Sequence, residues 1–195
     1  MIPKTIAVFF AMALFASAAP TTTNDLVARS CTAQLPGGLI WVDKDRPDIG
    51  LPTGNFTLAR TGGPGSNTKK AYFNFPNIPA NATGCMLGVQ WPEGSDFGDG
   101  ANIADLHTSV PIDWMTNLPK WNNFPQSIAQ VASITLPTTP SPKAFASIVY
   151  SAECKPNMAF ILELADWQQD AGSFTFFQRR RSVDPRVGFS LFYDC

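Results

Sequence analysis

About ten short apolar runs, separated by breaks rich in Pro, Gly and Asn, constrain this chain more than any other feature. No window of a dozen residues sustains an i, i+3, i+4 apolar stripe, so helices are not the main element. The runs are residues 38–42, 55–60, 70–75, 85–91, 103–110, 131–136, 145–151, 159–167, 173–178 and 187–195. Breaks such as TGGPGSN (residues 61–67) and PTTPSP (residues 137–142) separate them. Ten strands at this spacing predict an all-β fold, an antiparallel β-sandwich. The last run alternates most cleanly: Val187, Phe189, Leu191, Tyr193 and Cys195 on one side, Gly188, Ser190, Phe192 and Asp194 on the other. That period of two predicts a half-buried strand. Two hairpins are expected, 145–151 with 159–167 across CKPN, and 173–178 with 187–192 across RRRSVDPR. Residues 113–127 fit no strand template and read as a long loop with room for one helical turn.

The N-terminus sets the expected compartment. Lys4 precedes an apolar run from Ile6 to Ala16, followed by Ala16-Ser17-Ala18, a pattern that signal peptidase accepts. The run is about eleven residues, and a membrane span needs about 20. Residues 1–18 therefore read as a signal peptide cleaved after Ala18, residues 19–30 as a flexible lead-in, and 31–195 as one β-sandwich domain. The expected localisation is secreted and extracellular, with no membrane span once the signal is removed. Arg29 and Arg181 are candidate processing sites.

Four cysteines, Cys31, Cys85, Cys154 and Cys195, all follow the signal. An even count in an exported chain predicts two disulfides, and three connectivities are open. Their wide spacing does not suit zinc, whose ligands come in C-x₂₋₄-C pairs. Joining Cys31 to the last residue would tie both ends together, which favours Cys31–Cys195 with Cys85–Cys154. Asn55-Phe56-Thr57 and Asn81-Ala82-Thr83 are sequons, so Asn55 and Asn81 are expected glycan sites.

Chemistry is sparse. With 14 Lys and Arg against 15 Asp and Glu, the chain lacks the basic excess of a nucleic-acid binder. The single histidine, His107, stands on an expected strand without a G-x-S-x-G nucleophile motif, so a surface role is expected for it. Asp43, Asp45 and Asp48 resemble a calcium loop, but Gly54 stands where an EF-hand needs Glu. No catalytic residue, metal or cofactor is assigned. Glu93, Asp96, Asp99 and Asp105, with Glu163 and Asp166, leave a carboxylate-pair glycan hydrolase as the alternative. Trp91, Trp114 and Trp121 fall at strand ends or in loops, where an exposed indole stacks on a sugar ring. The leading expectation is a non-enzymatic glycoprotein that binds a cell-wall glycan, a surface or an extracellular partner protein. A structural or host-interaction protein without a small ligand is the third reading.

Gly84-Cys85 before an apolar strand, and the closing Gly188, Leu191, Tyr193 and Cys195, resemble the ubiquitin 3 binding protein C-terminal (But-two) family. The resemblance covers about residues 38–195 and implies a β-sandwich of the type common in exported proteins of filamentous fungi. It supplies no catalytic residues. The family's intracellular namesake partner does not suit a chain with a signal peptide.

Overall fold

The computed structural model describes residues 31–63, 65–113, 116–178 and 187–195. Residues 1–30, with the expected signal peptide, the expected lead-in and Arg29, lie outside them, as do Trp114 and Arg179-Arg180-Arg181. Thirteen strands run through the described residues: β1 Thr32–Gln34, β2 Gly38–Asp43, β3 Arg46–Pro52, β4 Asn55–Arg60, β5 Asn67–Pro76, β6 Cys85–Trp91 and β7 Gly98–Gly100. Then follow β8 Ile103–Ser109, β9 Ser127–Thr135, β10 Phe145–Ala152, β11 Asn157–Leu164, β12 Gly172–Phe177 and β13 Gly188–Tyr193. All ten expected runs are strands. The three unforeseen ones are short or rich in Pro and Gly (β1, β3 and β7), so they carry no alternating apolar signal. The expected helical turn in the 113–127 segment is a single 3₁₀ turn at Trp121–Asn123.

The strands form two antiparallel sheets. The smaller has the order β1-β13-β6-β10, and the larger runs β7-β12-β4-β5-β11-β8-β9. β2 also joins the larger sheet. β4 pairs with β5 only near Ala59 and Arg60, and β2 takes the edge of β5 from Lys69 to Asn74, carrying β3 with it. Inward residues of both sheets meet in a phenylalanine-rich core. Phe189 of the smaller sheet reaches Phe73 (ring centroids 4.8 Å) and Phe56 (5.2 Å) of the larger one.

Neither expected hairpin forms. β10 pairs with β6 in the smaller sheet, whereas β11 pairs with β5 and β8 in the larger. β12 pairs with β4 and β7, and β13 with β1 and β6. Both connections cross from one sheet to the other. Burial explains the first. Residues 158–162 of β11 are buried without a break, so β11 needs a central place with both faces covered. β10 has a half-exposed pattern suited to an edge.

The half-buried expectation for the last strand is also corrected, because all six residues of β13 are buried. It is an interior strand between β1 and β6. Phe192, on its outer side, lies across Gly88 of β6, where a Cβ would stand 2.8 Å from the ring. The glycine makes room for the ring to lie flat on the sheet.

Both disulfides formed are the expected ones, Cys31–Cys195 and Cys85–Cys154. The first ties the start of the described chain to its end. The second joins the start of β6 to the crossover between β10 and β11.

Candidate functional site

The larger sheet is covered on its inner face and on part of its outer face. Its inner face packs on the smaller sheet. On its outer face Ile40, Val42, Tyr72, Ala159 and Ile161 form a second, smaller core. Ile112, Leu118, Trp121 and Phe124, from the irregular segment after β8, pack over it. Tyr72 anchors that segment: its hydroxyl accepts from the Ile112 N–H (3.1 Å) and donates to the Val110 carbonyl (3.5 Å). Burial pushes the Tyr72 hydroxyl up to about 12, the Ile112 bond pulling the other way.

Beside this small core the outer face turns polar. Directly opposed residues of neighbouring strands share a face. The register sets Glu163 of β11 opposite Asp105 of β8, and Asp105 opposite Ser133 of β9. The adjoining row sets Tyr72 opposite Ile161, Ile161 opposite His107, and His107 opposite Gln130. Lys70 of β5 completes the cluster, its Nζ 4.0 Å from Glu163 Oε2, while His107 Nε2 lies 3.6 Å from Glu163 Oε1. Glu163 is thus held from both sides. Asp105 accepts the Ser133 hydroxyl (2.6 Å), and Gln130 donates to Ser133 Oγ (3.1 Å). Lys70 is fixed in turn by two rings, its ammonium 5.1 Å from the Trp121 centroid and 4.4 Å from that of Phe124.

Burial raises the Glu163 pKa, Lys70 and His107 pull it back, and Asp166 and Asp105 push it further up. A carboxyl that keeps its proton to higher pH when folded lets the unfolded chain ionise first. Stability therefore falls as pH climbs from the ordinary carboxylate range to the raised value, and levels off above it. Urea titrations across acid to neutral pH should show the stability of the wild type, relative to Glu163→Gln, declining with rising pH in that window. A pH-independent difference would contradict the burial of this carboxyl.

The sequence-predicted residues are scattered. Trp91 is 6% exposed, so the expected sugar platform is corrected. It shares the inner face of β6 with Cys85, Leu87 and Val89, stacks on Phe145 (4.2 Å) and meets Phe97 edge-on (5.7 Å). Trp121 is half-buried on the opposite side of the larger sheet, and no exposed face holds both indoles. Trp114 lies outside the described residues. His107 is not an isolated surface histidine but the partner of Glu163. Asp96 caps a turn by accepting the Gly98 N–H, and Asp99 pairs along β7 with Ser173. Asp43 is buried against Arg46 and Lys69 and accepts the Asp45 N–H. Asn81 is exposed in a turn, and Asn55 starts β4.

Lys70, Gln130 and Ser133 were missed as site residues. The available signal was the period of two in KAYFN, which puts Lys70, Tyr72 and Asn74 on one face. Chemically the row offers an ammonium, an imidazole and an amide beside two carboxylates and a hydroxyl, a set that suits a polyhydroxyl ligand. No family model matches the chain, and no curated protein matches its sequence.

Proposed function

We propose that this chain is an exported glycoprotein that binds a glycan, without cleaving it, on the outer face of the larger sheet. One observation carries this reading: Glu163 lies between Lys70 and His107, Gln130 stands opposite His107, and Lys70 rests against the Trp121 ring, which sets side chains of four strands in one polar row with an aromatic at its end. Rigid strands fix these donors and acceptors more closely than loops would. Export is supported by the two disulfides and by the N-terminal sequence. No helix among the described residues is long and apolar enough to cross a membrane. The But-two resemblance is retained as a proposal about fold only. The residues that carry it include Cys85, Leu191 and Tyr193, which are core.

The test is retention on insoluble chitin and β-1,3-glucan. Gln130 is exposed, so Gln130→Ala should leave the melting temperature unchanged. It should weaken retention about tenfold, the effect of losing about 1.4 kcal/mol. Unchanged retention by both Gln130→Ala and Glu163→Gln would rule out this face.

A glycan hydrolase is the second reading, favoured by the direct opposition of Glu163 and Asp105. Cβ atoms of such pairs lie about 4.5–5.5 Å apart, and a raised carboxyl suits a general acid. Against it, Asp105 is buried and already accepts Ser133. Release of reducing ends by the wild type, abolished in Glu163→Gln, would decide for the enzyme.

A further inference from the structure

β4 and β12 form a ladder whose two sides differ sharply. Phe56, Leu58, Phe174 and Phe176 point into the core. The outward row pairs Ala59 with Ser173, Thr57 with Thr175, and Asn55 with Phe177. Thr175 Oγ1 donates to Thr57 Oγ1 at 3.5 Å, as expected on a polar surface. Phe177 breaks that pattern. It is 62% exposed, whereas Phe174 and Phe176 are buried. The residue directly across from this exposed ring is the first residue of the sequon Asn55-Phe56-Thr57.

We infer that Asn55 carries an N-linked glycan whose first N-acetylglucosamine lies across the exposed ring of Phe177. Side chains directly opposed in an antiparallel pair have Cβ atoms about 4.5–5.5 Å apart, which brings a sugar on Asn55 Nδ2 over the neighbouring ring. The C–H face of a pyranose presents weakly positive hydrogens, and an aromatic face is weakly negative. Contact would remove apolar ring surface from water and use the first sugar as the missing cross-strand partner. Backbone geometry supports the attachment point. Thr53 Oγ1 accepts the Asn55 N–H and donates to the Asn55 carbonyl, both at 3.0 Å, fixing the start of β4. The other sequon differs. Asn81 stands in a turn closed by the Ala82 N–H on the Pro79 carbonyl (3.0 Å), with alanine on either side. A glycan there has no such ring beside it in the sequence and would act as a solubilising group.

The inference rests on the proposed export, and its test separates the two. The full chain would be secreted from a glycosylating eukaryotic host, as wild type and in an Asn81→Gln background with Phe177, Phe177→Ala or Phe177→Tyr. Peptide mapping reads occupancy at Asn55. Melting temperatures are then compared between protein trimmed to one N-acetylglucosamine and protein fully deglycosylated. With Phe177 or Tyr at this position the single sugar should raise the melting temperature by about 2–4 °C, and with Ala by less than about 1 °C. Sugar-ring proton signals should move upfield only when an aromatic ring is present. Phe177 contributes little core, so Phe177→Ala should fold. An equal thermal shift with Ala and Phe would overturn the inference. So would secreted wild-type protein glycosylated at Asn81 and bare at Asn55, an outcome that leaves export standing. Unglycosylated chain retained in the cell would overturn both.

Discussion

Replacing Cys85 and Cys154 together by serine should destabilise the protein by about 4 kcal/mol in the chain-entropy account of a loop of this length. The bond closes a sequence separation of 69 residues. For a chain of this size the corresponding fall in melting temperature is about 8–16 °C. Two features push the effect upward. Cys85 is buried among core residues, so a serine hydroxyl there would lack its water partners. The bond also fixes the β10–β11 crossover, where the chain leaves one sheet for the other. Differential scanning calorimetry of the oxidised wild type against the double variant measures this. A fall of less than about 2 °C would show that the crossover is held by packing alone.

Trp91→Ala should cost about 3–5 kcal/mol, the usual range for emptying a buried aromatic site. Trp91 links the end of β6 to Phe145 of β10 and to Phe97, which itself stacks on Phe176 (4.8 Å) of the larger sheet. Its removal would leave a void where the two sheets meet. The melting temperature should fall by about 6–20 °C. Retention on chitin or β-1,3-glucan, measured well below the lowered midpoint and normalised to folded protein, should not change. Loss of retention with an unchanged midpoint would restore Trp91 as a sugar platform and contradict its burial.

Trp91 and His107 mark where reading along the chain succeeds and where it stops. Trp91 was expected near an exposed strand end because Pro92 follows it. The alternation of its own strand already placed it with Cys85, Leu87 and Val89, which proves decisive. His107, Asp105 and Glu163 were each conspicuous in sequence. Nothing local indicated that they share one patch, since β8 and β11 are about fifty residues apart. The period of two gave Lys70 its face but no role, and Gln130 gave no signal, because single polar residues on alternating strands are the normal surface of a sheet.

Reading along the chain was enough to fix the all-β class and the position of ten strands, and to favour, among three open connectivities, the cysteine pairing that ties its ends. Those properties follow from local physics: a period of two, turn residues with special backbone geometry, and the entropy of closing a loop. Which strands are neighbours was settled by packing in three dimensions. That packing split both expected hairpins between sheets, buried β13 on both sides, and brought Lys70, His107, Glu163 and Gln130 together. Alternation tells a side chain which face of its strand it occupies but carries no information about the strand beside it. That choice is made by burial summed over the whole core, where a run apolar on both faces, such as β11, must take the centre.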